Sequence, residues 1–110
     1  MSVALHGFPW DASSSYARGP AHGPAFIRSV LFSEASSAYS FNGTDIKAAI
    51  TKYDFEDLPQ EGAGARGAIT ARITSSLSAG LHPISLGGDH SITFPVLQAI
   101  KMKYLSLIHI

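Results

Sequence analysis

The chain has 110 residues, enough for one small domain but not for two. Eight basic and eight acidic residues give a net charge of zero, so neither nucleic acid nor an anionic membrane is an expected partner. The lack of cysteine excludes disulfides and thiol catalysis. Because no apolar segment is long enough to cross a membrane or to form a signal peptide, we expect a cytoplasmic protein.

The first part of the chain predicts a strand, a long loop and a helix. Residues 3–8 are mostly apolar, which is typical of a buried strand. Residues 10–24 are rich in small, hydroxyl, glycine and proline residues, and a loop of this length is a candidate binding rim. Gly23 and Pro24 are predicted to begin a helix whose apolar face contains Ile27, Val30 and Leu31.

The middle of the chain predicts an edge strand and a second helix. One weak helical turn is expected at 45–51. In residues 52–58, charged side chains alternate with aromatic or aliphatic ones. This pattern is typical of a strand with one solvent-exposed face, near the edge of a sheet. Residues 61–67 are predicted to be a linker. The helix that follows has an apolar stripe and ends at a glycine; these residues are Ile69, Ile73, Leu77 and Gly80.

The last part predicts a strand at 82–86 and a third helix, capped near Ser91 or Thr93. The expected buried side chains of that helix are Leu97, Ile100 and Tyr104. Residues 105–110 form an apolar run without a polar stop, which we interpret as a further, truncated strand. Strands alternate with helices throughout. The predicted fold class is therefore α/β, a three-layer parallel sheet with helices on both faces.

The segment Gly87-Gly88-Asp89-His90-Ser91 has the strongest chemical pattern. It lies between a predicted strand and a predicted helix, and parallel sheets bind ligands just beyond the carboxyl ends of their strands. The glycines allow a sharp turn, and a neutral imidazole there can bind a metal. An ordinary turn with a surface histidine is the alternative, and the pentapeptide taken alone favours it.

A second glycine pattern, Gly62-Ala63-Gly64-Ala65-Arg66-Gly67, matches a dinucleotide fingerprint and has Asp89 about twenty residues further on. Three residues separate it from the preceding strand, however, and nearby carboxylates would repel phosphates. We therefore keep dinucleotide binding only as a distant alternative.

Four segments in this order resemble the N-terminal part of the ureohydrolase family, the arginase and agmatinase group. They are Gly7-Phe8-Pro9-Trp10-Asp11, the loop from Tyr16-Ala17-Arg18-Gly19-Pro20 into Ile27-Arg28, Asp54-Phe55-Glu56-Asp57, and Leu86-Gly87-Gly88-Asp89-His90-Ser91. The family commonly has glycine where Glu56 stands. The resemblance covers nearly the whole chain, and its loop is closer to agmatinase-like members.

The resemblance implies an arginase-like fold and a role for His90 as a ligand of Mn²⁺, in a centre that is binuclear in the complete enzyme. Gly87, Gly88, Asp89 and Ser91 would form the turn of that metal site, and Asp89 is expected to stabilise the turn. Asp11, Arg18 and Gly19 would belong to the rim of a pocket for a small guanidino substrate. The remaining ligands would come from later motifs that this sequence does not contain.

These implications favour an incomplete enzyme. Residues 1–110 would be the N-terminal part of a single ureohydrolase domain, truncated before the second metal-ligand motif and inactive alone. The complete protein would release urea and an amine from an agmatine-like substrate and is expected to be a homo-oligomer. The alternative is a non-catalytic module that associates with a full-length subunit.

Overall fold

The computed structural model describes residues 2–13, 17–34, 37, 39–59 and 61–108, with only the backbone given for 105–108. Helices and strands alternate along the chain. The elements are β1 (Val3–Phe8), α1 (Gly23–Leu31), α2 (Ile46–Ala49), β2 (Ile50–Asp54), α3 (Gly62–Ser78), β3 (His82–Gly87) and α4 (Thr93–Ile108), with short 3₁₀ turns at Pro20–His22 and His90–Ile92. Within these residues, no helix is long and apolar enough to cross a membrane.

The three strands form a parallel sheet in the order β2-β1-β3. All six residues of the central strand β1 are buried, as its apolar sequence predicts. The pairing of β1 with β2 has one irregularity: Val3 lies opposite Ile50, whereas Ala4 lies opposite Lys52. Thr51 is therefore an extra residue. As a result, the side chains of Ile50 and Lys52 point to opposite faces of the sheet, although residues two positions apart in a regular strand point to the same face.

Helices cover both faces of the sheet. On one face, Phe8 packs with buried side chains of α3 and α4, including Ile69, Ile73 and Ala99. On the other face, Val3, Leu5 and Ile50 form a second cluster, against which side chains of α1 and α2 pack. This arrangement confirms the predicted three-layer α/β fold class.

The predicted second helix is confirmed in its apolar stripe and wrong in its start. Ile69, Ile73 and Leu77 are buried, and Gly80 follows the helix with a φ of +78°. The predicted linker at 61–67 is incorrect because α3 already begins at Gly62. Glycine costs about 1 kcal/mol relative to alanine inside a helix. Here the packing of α3 outweighs that cost, and a Cβ at Gly64 would lie only 3.2 Å from Pro59 Cβ.

The predicted edge strand is confirmed in position but not in extent. The structure has β2 at the sheet edge, but it starts at Ile50, directly after the predicted helical turn α2, and ends at Asp54. Arg72 of α3 donates hydrogen bonds to the carbonyl oxygens of Glu56 and Asp57, at 2.9 and 2.8 Å. These carbonyls bind a helix side chain, so the alternating pattern beyond Asp54 is not a strand.

The third predicted helix, α4, buries a different face from the one expected. Leu97 and Tyr104 are 56% and 37% exposed, and Ile100 is only partly buried. Pro95 and Ala99, which lie four residues apart, are the buried positions, and the Pro95 carbonyl accepts a hydrogen bond from Thr70 Oγ1 at 3.1 Å. Small side chains at the contact let α4 approach α3, so the large apolar residues are displaced to the outer face.

Two further expectations differ from the structure. The predicted strand at 105–110 is wrong as far as Ile108 because α4 continues to that residue, whereas residues 109–110 lie outside the described part of the chain. A short apolar run does not by itself separate helix from strand. The helix α1 begins at Gly23 as predicted, but on its apolar face Ile27 and Val30 are 47% and 61% exposed, and only Leu31 packs on the core.

Candidate functional site at the carboxyl edge of the sheet

The turn after β3 requires glycine at position 88. Gly88 has a φ of +54°, a conformation that side-chain-bearing residues rarely adopt. A Cβ on Gly88 would lie 2.5 Å from the carbonyl oxygen of Trp10 and 2.7 Å from that of Phe8. The backbone of this turn therefore packs directly against the end of the central strand, and the next amide, of Asp89, donates a hydrogen bond to the Trp10 carbonyl at 2.7 Å.

The Asp89 side chain joins two segments that are far apart in sequence. It is 8% exposed and serves as the N-cap of the 3₁₀ turn, accepting hydrogen bonds from the Ser91 amide at 3.0 Å and from the Ser91 hydroxyl. Its other oxygen accepts a hydrogen bond from the Ser13 amide at 2.9 Å. The carboxylate thus holds both its own turn and the loop that follows β1, and a role of Asp89 in the turn of a metal site stays a prediction. Asp89 is the N-cap of the 3₁₀ turn that leads into α4, so the capping residue lies earlier in the chain than the predicted Ser91 or Thr93.

His90 lies at the carboxyl end of β3 and is exposed. It is the first residue of the 3₁₀ turn, on the same edge of the sheet as the loop after β1, because Asp89 and Gly88 contact that loop directly. This is the location expected for a ligand-binding residue of a parallel sheet. The role of His90 as a metal ligand stays a prediction.

The donor set around His90 is not sufficient for a metal centre. Across the described residues, no three His, Cys, Asp or Glu side chains are grouped so that they could hold a metal ion. The neighbouring Asp89 carboxylate is already engaged by Ser13 and Ser91. This part of the molecule therefore offers one imidazole and not a complete coordination shell.

The loop between β1 and α1 is organised around a second buried carboxylate, Asp11, which is 7% exposed. Its oxygens accept hydrogen bonds from Arg18 Nε at 2.9 Å, the Gly19 amide at 2.8 Å and the Ala21 amide at 3.4 Å. The hydrogen bond from Arg18, followed by that from the Gly19 amide, lowers the pKa of Asp11 below its ordinary value. The loop is therefore closed by a carboxylate whose charged form is favoured by its hydrogen-bond partners.

The three residues predicted to lie on a pocket rim are brought together by this interaction. The Arg18 side chain is 73% exposed, and its Nη2 lies 2.8 Å from Asp11 Oδ1. Gly19 has a φ of +144°, a backbone conformation that residues with a side chain rarely adopt. This conformation leads the chain into the 3₁₀ turn that begins at Pro20. Asp11 itself is turned inward. The participation of these residues in a substrate pocket stays a prediction.

A cleft of about 570 Å³ lies beside this loop, between α1 and the ends of β1 and β2. Its polar side chains include Arg28 and Asp57, and the Arg28 guanidinium lies 5.0 Å from the centroid of the Phe55 ring, as in a cation–π contact. No pattern of composition or spacing predicts this cleft. Arg28 and Phe55 do belong to two of the segments that resemble the family.

The glycine pattern at 62–67 does not form a phosphate-binding loop. These residues lie within the first turns of α3, and the Ala65 amide donates a hydrogen bond to the Glu61 carbonyl at 2.8 Å. A dinucleotide site needs free amides in a turn between a strand and a helix. The alternative of dinucleotide binding therefore has no structural support.

The fold and the edge site together define a class: a three-layer α/β protein with a parallel sheet, whose candidate site lies at the carboxyl ends of adjacent strands. Comparison with known proteins then gives the family. The model of the arginase family matches residues 1–110, and the chain belongs to that family.

Relatives with known functions or structures agree. An agmatinase from Bacillus anthracis is 34% identical over 97% of this chain and 38% of its own length. The structure of an arginase from Medicago truncatula, 26% identical, superposes with a TM-score of 0.80 over 93% of this chain and 35% of its own. A crystal structure of a formiminoglutamase variant from Trypanosoma cruzi with Mn²⁺ superposes with a TM-score of 0.74 at 20% identity, over 94% of this chain and 36% of its own. This chain spans about a third of the length of each.

Proposed function

We propose that this chain is the N-terminal part of a manganese-dependent ureohydrolase that hydrolyses a guanidino compound resembling agmatine to urea and an amine. Membership of the arginase family and the 34% identity with an agmatinase support this proposal. We further propose that the complete protein is cytoplasmic and works as a homo-oligomer.

The position of His90 is the observation that carries the proposal. The imidazole is exposed at the end of β3, beside a turn whose geometry is fixed by Gly88 and Asp89. A metal ligand must be held in place while it remains accessible, and the two hydrogen bonds from backbone amides to Asp89 provide that support.

The described part of the chain would contribute one such ligand, His90, and the other ligands would have to come from elsewhere. When bound, Mn²⁺ supplies a Lewis acid that lowers the pKa of water from about 15.7 toward neutrality, which a poorly electrophilic guanidinium requires. The residues of this chain would hold one imidazole in position and shape the adjoining loop around Asp11. On its own, the chain is expected to be inactive.

A second candidate function is that of a non-catalytic module that associates with a full-length subunit. Large apolar side chains on the outer face of α4 favour it, since Phe94, Leu97 and Met102 are 65%, 56% and 70% exposed. Exposed apolar surface of this kind is typical of contact with another polypeptide.

A chimaera separates these two functions. The N-terminal part of the Bacillus anthracis agmatinase is replaced by residues 1–110, and urea release from agmatine and from arginine is measured with added Mn²⁺, alongside the 110-residue chain. We expect the chimaera to be active, with a preference for agmatine, and the short chain to be inactive.

Two variants of the chimaera test His90. His90→Ala should lower activity and Mn²⁺ affinity by at least about 100-fold, because removal of even a supporting group costs about 10–100-fold. The matched control is His82→Ala, an exposed histidine at the opposite end of β3, which should leave both quantities unchanged. Unchanged activity of His90→Ala would contradict the proposed ligand. An inactive chimaera, with the short chain binding the intact agmatinase, would instead favour the module.

A further inference from the structure

A buried polar cluster lies between the sheet and α3. At its centre is His6, on the middle strand, which is 0% exposed and stacks on the Phe8 ring with the ring centroids 5.6 Å apart. His6 Nε2 lies 2.8 Å from Ser76 Oγ of α3, and Ser76 is also fully buried. The hydrogen bond between these two side chains therefore joins the helix to the core of the sheet.

The neighbours of Ser76 indicate how the protons are arranged. Lys52 of β2 lies with its Nζ 3.2 Å from Ser76 Oγ, and an ammonium group only donates. Ser76 Oγ accepts that hydrogen bond, which leaves its own proton free to be donated to His6 Nε2. The neutral His6 ring then carries its proton on Nδ1.

The Nδ1 side of the ring is poorly satisfied. Within the described part of the chain this buried nitrogen has no hydrogen-bond partner, and the nearest carboxylate oxygen, Asp54 Oδ2, is 3.8 Å away. Asp54 in turn faces Arg72 of α3, whose Nη1 lies 3.8 Å from Asp54 Oδ1. His6 is thus surrounded by two cations, Lys52 and Arg72, and one anion, Asp54.

A second proton on His6 is unfavourable in this setting. Burial is the largest influence and lowers the pKa of His6 below its ordinary value; Lys52 and Arg72 act in the same direction, while Asp54 opposes them. Protonation would place another positive charge beside two existing ones. It would also occupy Nε2, so that Ser76 could no longer donate to it.

The helix side of the cluster also holds the segment after β2. One turn before Ser76, Arg72 donates hydrogen bonds to the carbonyl oxygens of Glu56 and Asp57. A displacement of this part of α3 would therefore break both hydrogen bonds and loosen the segment at 55–58, which follows the edge strand and includes Phe55 and Asp57 of the cleft.

We propose that His6, Ser76, Lys52, Asp54 and Arg72 form an acid-sensitive latch: when His6 is neutral the cluster holds α3 on the sheet, and when His6 is protonated α3 and residues 55–58 loosen together. The latch is independent of the proposed ureohydrolase activity, because it uses neither His90 nor a metal.

The pH window follows from the direction of the pKa shift. The unfolded chain has a histidine pKa near 6.5, and the folded value of His6 lies below it. The stabilisation by neutral His6 is therefore fully present above pH 6.5. It is lost as the pH falls from there toward the folded pKa, and the opening constant rises by up to about tenfold for each pH unit in that interval.

Nuclear magnetic resonance of the 110-residue chain tests the latch. The imidazole resonance of His6 should titrate below pH 6.5, the ordinary pKa of a histidine in an unfolded chain. Amide protection in α3, corrected for intrinsic exchange, should be constant above pH 6.5 and fall as the pH is lowered below it, while protection in α1 changes little. The amide shifts of residues 55–58 should move over the same pH range.

Two variants sharpen the result. His6→Gln keeps a polar side chain that cannot be protonated, so protection of α3 should become independent of pH, whereas the matched control His22→Gln should behave as the wild type. Lys52→Gln removes one of the two cations and should shift the His6 titration to higher pH.

The latch is refuted if His6 titrates at or above pH 6.5, or if α3 keeps its protection through the His6 titration. A pH dependence that persists in His6→Gln would also refute it. If His6→Gln fails to fold, the titration of His6 in the wild-type chain, together with the protection of α3, still tests the latch.

Discussion

The α3 face of the sheet and its carboxyl edge are stabilised in different ways. On the α3 face, Ile69 and Ile73 are no more than 1% exposed, and burial of such side chains stabilises by about 1.5–3 kcal/mol each. At the edge, two aspartates hold the loops by accepting hydrogen bonds from backbone amides. The comparison shows that the scaffold depends on burial and that the candidate site depends on a few oriented acceptors.

The largest expected effect of a substitution is on the α3 face. Ile73→Ala should lower the free energy of unfolding by about 2–5 kcal/mol, because Ile73 is fully buried and its removal leaves a cavity. Urea denaturation measures the difference. The matched control, Ile84→Ala, changes a side chain that is 49% exposed and should cost much less. Equal losses in the two variants would show that burial on this face does not dominate stability.

The next effect concerns the edge. Gly88→Ala should destabilise more than Gly80→Ala, although both glycines have positive φ. The left-handed conformation costs an alanine about 1–2 kcal/mol at either position. At Gly88 the new Cβ also meets the Trp10 and Phe8 carbonyls, whereas at Gly80 it meets no described atom within 4 Å. Thermal unfolding of both variants gives the comparison, and equal melting temperatures would contradict the close contact.

The smallest expected effect is that of removing Arg18, the side-chain partner of Asp11, and it should become smaller in acid. The pKa of Asp11 is lowered in the folded chain, so its hydrogen bonds stabilise the protein above the unfolded value of 3.8 and that stabilisation is lost as the pH falls through the lower folded value. Arg18→Gln should lower the melting temperature slightly at about pH 7 and by less at about pH 3. The effect is small because the Arg18 side chain is 73% exposed. A difference that does not shrink in acid would rule out the ion pair as its cause.

The two regions also differ in how well the sequence predicts them. The stripe of Ile69, Ile73 and Leu77 repeats every four residues, so the buried face of α3 follows from local periodicity. The start of α3 was missed, because glycine weakens a helix locally and only the contact of Gly64 with Pro59 shows why it is tolerated. Similarly, Pro95 and Ala99 are the buried residues in the described part of α4 because α3 approaches the helix there, and no local pattern contains that approach.

At the carboxyl edge of the sheet, the sequence predicts which residues form the candidate site but not which atoms they contact. Two adjacent glycines indicate a sharp turn, and the turn places His90 where a parallel sheet presents its ligands. The hydrogen bond from the Ser13 amide to Asp89 joins residues 76 positions apart. Such a contact depends on the pairing of β1 with β3, so neither composition nor spacing reveals it.

The extra residue Thr51 in β2 has a consequence for the behaviour of the chain in solution. It interrupts the regular pairing of the outer strand near its first residue, and an irregular strand is a poor template for adding another strand from a neighbouring molecule. Removal of Thr51 would give β2 an uninterrupted alternation along that border. The single inserted residue thus makes the outer strand a poorer template for fibre-like association.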